Sequence, residues 1–218
     1  MRKIFGHRGL PRIYKENTFT GINKAYEHCD FVEIDVRLTG DNQLILHHDP
    51  NIGEDLIKNL SLSELDILMK DGSIHDSILV SRDQIHGQVN FEIKTDTLDD
   101  SEVDILFQKM LSIFELGDIV SSFNWKAIQS FKNLFNCNYG IIFDKEEDLF
   151  EAQALSNHDE ELFFMTHFSL IDSRNFALPK NKTVLWTVNN EDDFQRYMDM
   201  EIYGIVTDIP DTMQLYRK

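Results

Sequence analysis

Four short polar clusters, each at the end of an apolar run, carry the chemistry of this chain. His7-Arg8-Gly9 follows Lys3-Ile4-Phe5-Gly6, and Glu33-Ile34-Asp35 follows Phe31-Val32. His47-His48-Asp49 follows Leu44-Ile45-Leu46, and Glu92-Ile93-Lys94 follows Val89-Asn90-Phe91. Charged groups and imidazoles at the ends of buried strands oppose folding unless they pair or hold a metal. Taken together they would make a divalent-cation site ringed by acid–base groups and phosphate binders.

Glu33 and Asp35 are two residues apart, so on a strand they share a face. Alone they would read as solvated carboxylates on an edge strand. The apolar residues before and between them make the strand a buried one, and the pair becomes two oxygen ligands for a hard cation, Mg²⁺ or Ca²⁺. Glu92 and Lys94 repeat the spacing. Glu92 can complete the cation site, and Lys94 can neutralise a phosphate oxygen or a developing alkoxide. An ordinary ion-pair cluster here would set three carboxylates against one lysine, which is unstable without a cation.

His7 titrates in the range useful for proton transfer at neutral pH. Arg8 offers a guanidinium fork for phosphate or for orienting a carboxylate. His48 has Asp49 beside it as an orienting group. His47 points the opposite way in an extended chain, so only one of these two histidines should face the site. Glu16-Asn17-Thr18 has the composition of a helix N-cap, and Glu16 or Asn17 could also hold the metal shell or Arg8. Trp186 could wall the site or simply pack in the core. His28, His75, His86, His158 and His167 read as structural or surface residues.

These groups need a scaffold that brings strand ends together. Strand-like runs occur at Lys3–Phe5, Phe31–Val36, Val89–Ile93, Asp118–Ser122, Tyr139–Phe143, Leu162–Met165, Thr183–Val188 and Tyr203–Thr207. Most are apolar nearly throughout, as parallel strands covered on both faces are. Helical stretches fall between them at Thr18–His28, Ser101–Phe114, Trp125–Leu134, Glu146–Leu155 and Asp192–Asp199. One more run, Gln43–Leu46, follows Val36 too closely for a parallel crossover, and Thr39-Gly40-Asp41-Asn42 is turn-forming, so it should be the second arm of a hairpin. Eight parallel strands remain, which predicts an α/β fold: a (β/α)8 TIM barrel in a single domain over 1–218, with the extra hairpin arm and an irregular excursion over 51–81 near the mouth of the site. Within the excursion, Ser61 with Glu64 three residues on marks the start of a short capped helix.

The chain has 218 residues, 42% hydrophobic and 27% charged, in line with one soluble globular domain. Its 38 acidic residues against 21 Lys plus Arg give a net charge of −17. That balance disfavours nucleic acid and anionic membranes as partners, so a phosphate site has to be local. Cys29 and Cys137 have no metal or disulfide spacing and read as free thiols. No signal peptide or spanning segment is visible, which predicts a cytoplasmic protein without stable membrane insertion; oligomeric state is not readable.

The clusters, in this order, resemble the glycerophosphodiester phosphodiesterase family. The matching pieces are His7-Arg8-Gly9, Glu16-Asn17-Thr18, Glu33-Ile34-Asp35-Val36, Thr39 with Asp41, His48-Asp49 and Glu92-Ile93-Lys94. Ser122-Phe123, Trp186-Thr187-Val188-Asn189 and Gly204-Ile205-Val206-Thr207-Asp208 with Pro210 follow. The resemblance implies a (β/α)8 barrel that hydrolyses a small-molecule phosphodiester to glycerol 3-phosphate and an alcohol. It implies one divalent cation, Mg²⁺ or Ca²⁺, on Glu33, Asp35 and Glu92, with His7 and His48 as the acid–base pair and Arg8 and Lys94 on the phosphate. The chain departs from the family pattern at Pro50–Asp55, where a leucine and then an Arg-Thr pair are usual, and at Leu79–Asp83, where a proline-threonine-leucine segment is usual. Both places should shape the alcohol pocket. Two other expectations compete: a lysophospholipid-type phosphodiesterase, whose lipid tail could rest on Ile52, Leu56 and Ile57, and a catalytically silent barrel that binds phosphoesters or a protein.

Overall fold

The computed structural model describes residues 2–69, 72–134, 137–156 and 161–217. Eight parallel strands close on themselves: β1 (Lys3–His7), β2 (Phe31–Leu38), β6 (Gln88–Ile93), β7 (Ile119–Ser122), β8 (Asn138–Phe143), β9 (Leu162–His167), β10 (Thr183–Trp186) and β11 (Gly204–Thr207). The last strand pairs with the first, Gly6 opposite Thr207, and β1 pairs with β2, His7 opposite Glu33. This is the expected (β/α)8 barrel in one domain, a closure that leaves no exposed edge. β3 (Leu44–Leu46) lies antiparallel on β2 outside the barrel count, as the hairpin reading requires. A two-stranded ribbon, β4 (Asn51–Ile52) with β5 (Asp55–Leu56), follows it.

The surrounding helices are α1 (Phe19–Ala25), α2 (Leu62–Leu68), α3 (Asp100–Met110), α4 (Trp125–Leu134), α5 (Leu149–Ser156), α6 (Glu191–Met198) and α7 (Pro210–Met213). Side-chain caps start several of them: Thr18 for α1, Asp99 with Glu102 for α3, and the expected Ser61–Glu64 box for α2. α1 is shorter than the expected Thr18–His28, because His28 and Cys29 both donate to the Ala25 carbonyl and tighten the chain into a turn. β10 stops at Trp186, short of Val188. Val188 donates its amide to the Val206 carbonyl instead, and the step places Asn189 beside Asp208.

Two crossovers depart from a single packed helix. Between β9 and β10 the chain uses short 3₁₀ turns at Phe168–Asp172 and Lys180–Lys182. Between β2 and β6 the excursion packs on the outer side of the hairpin arm, where Ile45, Ile57, Leu65 and Ile74 form a satellite core with Ile52 against it. Ile57 is therefore buried and Ile52 half-buried in that core. The main core lies between the barrel's outer face and the helices.

Inside the barrel, alternate residues of each strand point inward. The N-terminal end is filled by apolar groups. Phe5 stacks on Phe31 at 4.7 Å, with Phe163, Val184 and Val206 in the same cluster. Two residues further along β1 and β2 the same face presents His7 and Glu33. The interior thus changes from aromatic to charged toward the C-terminal ends of the strands, the end at which barrel enzymes carry their sites.

Candidate active site

The turn after β1 follows the first candidate site residue, His7. Arg8 and Gly9 both adopt left-handed backbone conformations, φ 53° and 95°. A side chain at Gly9 would meet the backbone of Gly21 and Ile22 at 2.9 Å, so only glycine closes this turn against α1. Asn17, also left-handed at φ 55°, donates its amide to the Arg8 carbonyl at 3.0 Å. Non-glycine residues in this region are strained and concentrate at functional sites.

The strand register then gathers the carboxylates. Glu33 and Asp35 lie on the inner face of β2, and Asp35 is opposite Glu92 on β6. Glu33, Asp35 and Glu92 each offer an oxygen within 4.8 Å of the others. Glu33 is 5% exposed and Asp35 1%. Asn17 Nδ2 donates to Asp35 at 2.8 Å and Asp35 N donates back to Asn17 Oδ1 at 3.1 Å. Lys94 Nζ pairs with Asp35 at 2.9 Å and also contacts Glu92. The Arg8 guanidinium grips Glu16 through Nη1, 3.1 Å to each oxygen, and sits 3.2 Å from Asp35. Glu16 and Asn17 thus divide the two roles left open for them.

The charges do not balance. Burial is the largest influence on Glu33, and repulsion from Asp35 adds to it, so its carboxyl is pushed up to about 8. Glu92 moves up for the same two reasons. Burial pushes Asp35 up as well, but Lys94, Arg8 and Asn17 outweigh it and hold Asp35 low. Glu33 Oε2 accepts from the Arg8 amide at 3.1 Å, while Oε1 is buried with no hydrogen-bond partner. Three convergent carboxylates, one with an orphaned oxygen, fit a hard divalent cation, and the all-oxygen donor set suits Mg²⁺ or Ca²⁺.

His7 and His48 both line the cleft above this cluster, together with Arg8, Lys94 and Trp186. His7 Nδ1 lies 2.6 Å from Asp208, and Nε2 is 3.9 Å from Glu33. Burial works to lower the His7 pKa, but the Asp208 hydrogen bond and the Glu33 charge outweigh it and raise it. His48 Nδ1 pairs with Asp49 at 2.8 Å. His47 is not on the cleft lining, and burial lowers its pKa. Trp186 donates its indole N–H to the Met165 carbonyl at 3.0 Å and meets Phe123 edge-on at 5.8 Å.

A sequence model of the glycerophosphoryl diester phosphodiesterase family matches residues 7–212. The chain belongs to this family. It is 26% identical over 99% of its length to a glycerophosphodiester phosphodiesterase of Caldanaerobacter subterraneus subsp. tengcongensis, covering 98% of that protein. A putative glycerophosphodiester phosphodiesterase of Bacillus subtilis is also 26% identical, over 95% of each chain. Among solved structures, the Thermotoga maritima glycerophosphodiester phosphodiesterase superimposes with a TM-score of 0.75 at 24% identity, covering all of this chain and 99% of that one. An Oleispira antarctica phosphodiesterase solved with sn-glycerol-3-phosphate gives 0.77 at 19% identity, over 99% of this chain and 96% of that one.

Within this family member, several supporting residues had no role assigned from sequence. Asp208 fixes His7 and is itself fixed by Asn189, which donates Nδ2 at 2.7 Å and accepts the Asp208 amide at 2.8 Å. Arg37 is 4% exposed and donates to the His48 carbonyl and to Asp96. Its spacing was a usable signal, because residues 33, 35 and 37 share a face. His167, read as structural or surface, meets Trp186 edge-on at 5.5 Å and is not on the described cleft lining. His158 lies outside the described residues. No residue of 51–81 is on the described lining of the cleft, and Ile52 and Ile57 pack into the satellite core instead. No described helix is long and apolar enough to cross a membrane.

Proposed function

We propose that this chain hydrolyses glycerophosphodiesters to glycerol 3-phosphate and an alcohol, with one divalent cation on Glu33, Asp35 and Glu92. Family membership places it among the phosphoric diester hydrolases. The observation that carries the finer reading is the meeting of His7 and His48 over three carboxylates whose oxygens lie within 4.8 Å. A bound cation would supply electrophilic activation of a phosphoryl oxygen.

The chain's own residues do the rest. Asp208 and Asp49 engage Nδ1 of His7 and His48, which leaves Nε2 of each ring for proton transfer. Between them the two imidazoles take a proton from the nucleophile and give one to the leaving alkoxide. Lys94 and Arg8 offset negative charge on the phosphate oxygens. Glu16 and Asn17 keep Arg8 and Asp35 in place while this happens. Trp186 and Phe123 form an apolar wall that limits water in the cleft.

The test is glycerol 3-phosphate release by metal-stripped protein from glycerophosphocholine, glycerophosphoethanolamine and glycerophosphoglycerol, each with Mg²⁺ or Ca²⁺. Cation-dependent release that disappears in His48→Ala is expected. Absence of release from all three substrates with either cation would falsify the proposal.

A further inference from the structure

The catalytic cleft is small for a whole diester. Its volume is about 160 Å³, against roughly 300–1,000 Å³ for sites that enclose a complete small-molecule ligand. A second cavity of about 450 Å³ adjoins it. The two share His48, Glu92, Lys94 and Phe123, so they form one continuous space on the His48 side. A diester bound at the cation cluster has one half in the cleft, and its other half has this groove to enter.

We propose that the groove is the alcohol subsite, and that it selects an uncharged hydroxylated alcohol such as glycerol over choline. The proposal rests on the phosphodiesterase reading above and names the alcohol class. Beside the apolar Pro50, Ile93 and Phe123, the groove's lining carries hydrogen-bonding groups held in place. Arg37 donates Nε and Nη2 to the His48 carbonyl at 2.9 and 2.5 Å and Nη1 to Asp96 at 2.8 Å. Asn124 donates Nδ2 to the Thr95 hydroxyl at 3.1 Å. Arg37, Thr95, Asp96 and Asn124 all border the groove.

Asp96 is paired with Arg37, while Lys94 is shared between Glu92 and Asp35. With a divalent cation on Glu33, Asp35 and Glu92, the groove offers no uncompensated carboxylate to a cationic alcohol. Phe123 is the one aromatic ring on its described lining, whereas recognition of a quaternary ammonium draws on several aromatic faces. A trimethylammonium group has no N–H or O–H to give to Thr95, Asp96 or Asn124. It would strip water from them without replacing the lost hydrogen bonds, which costs free energy. A polyol replaces them. The same Arg37 that lines the groove also fixes the backbone of His48, so the alcohol lies beside the imidazole that serves proton transfer.

The experiment compares kcat/KM for glycerophosphoglycerol and glycerophosphocholine, at saturating divalent cation, in wild type, Thr95→Val and Thr95→Ser. Wild type should favour glycerophosphoglycerol by about tenfold, the worth of one or two hydrogen bonds. Thr95→Val should shrink that ratio by about threefold or more, and Thr95→Ser, which keeps the hydroxyl, should restore it. Equal use of the two substrates, a preference for choline, or an unchanged ratio in Thr95→Val overturns the groove assignment and leaves the phosphodiesterase reading standing. No glycerol 3-phosphate from either substrate overturns the groove assignment, and none from glycerophosphoethanolamine as well overturns both.

Discussion

Two of the buried charge clusters among the described residues are built in opposite ways. Near the N-terminal end of the barrel, Arg82 meets Asp118 through Nε at 3.2 Å and Nη2 at 3.1 Å, with the exposed Glu115 carboxylate 3.7 Å from Nε. Arg82 also donates to the carbonyls of Ile85 and Gly87, and Asp118 accepts the amides of Val89 and Glu115. Both carboxylate oxygens and all three guanidinium nitrogens have partners. The pair ties the end of the excursion to the start of β7. At the other end, three carboxylates face Lys94 and Arg8, and a Glu33 oxygen has no partner. A buried ion pair completed by hydrogen bonds holds a fold together, whereas one left incomplete is shaped for something that arrives later.

The comparison can be broken in four ways. The largest effect is expected from Glu33→Ala, which should abolish turnover and also remove the rise in melting temperature on adding Mg²⁺ or Ca²⁺, since binding to the folded state alone is what stabilises it. A cation-induced shift of wild-type size in that variant would show that the carboxylates are not the site. Next come His7→Ala and His48→Ala. Each should lower turnover by about 10²–10⁴-fold while the cation still raises the melting temperature, because neither imidazole is assigned to the cation. Full activity in either would remove that histidine from the mechanism.

Arg82→Met tests the other cluster. It leaves Asp118 buried and unpaired and should cost about 3–5 kcal/mol of stability in urea unfolding. Below its melting temperature the variant should keep kcat and its response to cation, and a selective loss of kcat would mean that the two clusters are coupled. The smallest effect is on pH dependence. Glu33 in the metal-free fold titrates at about 8, above its ordinary 4.5. The folded state therefore holds this proton more tightly than the unfolded chain. The contribution is fully present below the ordinary value and is lost as pH rises through about 8. The melting temperature of chelator-treated protein should fall across this window, and saturating Mg²⁺ or Ca²⁺ should flatten the fall. Identical slopes with and without cation would count against Glu33 as a ligand.

The barrel, the hairpin arm and the convergent carboxylate trio were legible from local pattern. Runs such as Phe31–Val36 and Val89–Ile93 announce covered strands, and two-residue spacing puts Glu33 with Asp35 and Glu92 with Lys94 on one face. Parity is a property of the extended backbone itself, so it survives whatever the rest of the chain does. The acid–base roles proposed for His7 and His48 came from residue chemistry and from the resemblance of the ordered clusters to a family.

What tertiary structure alone decided is who holds whom. Asp208 is 201 residues from His7, and only closure of β11 onto β1 makes it the partner of that imidazole. Asn17 reaches Asp35 because a left-handed turn aims it there, and Arg37 reaches the His48 carbonyl because the hairpin folds β3 back on β2. Ile52 and Ile57 could have formed a lipid-facing rim, and instead they pack into a satellite core with Ile45 of the hairpin arm. Contacts of this kind depend on strand order, register and turn geometry. A chain specifies these jointly through its whole packing, and no short stretch of residues carries them.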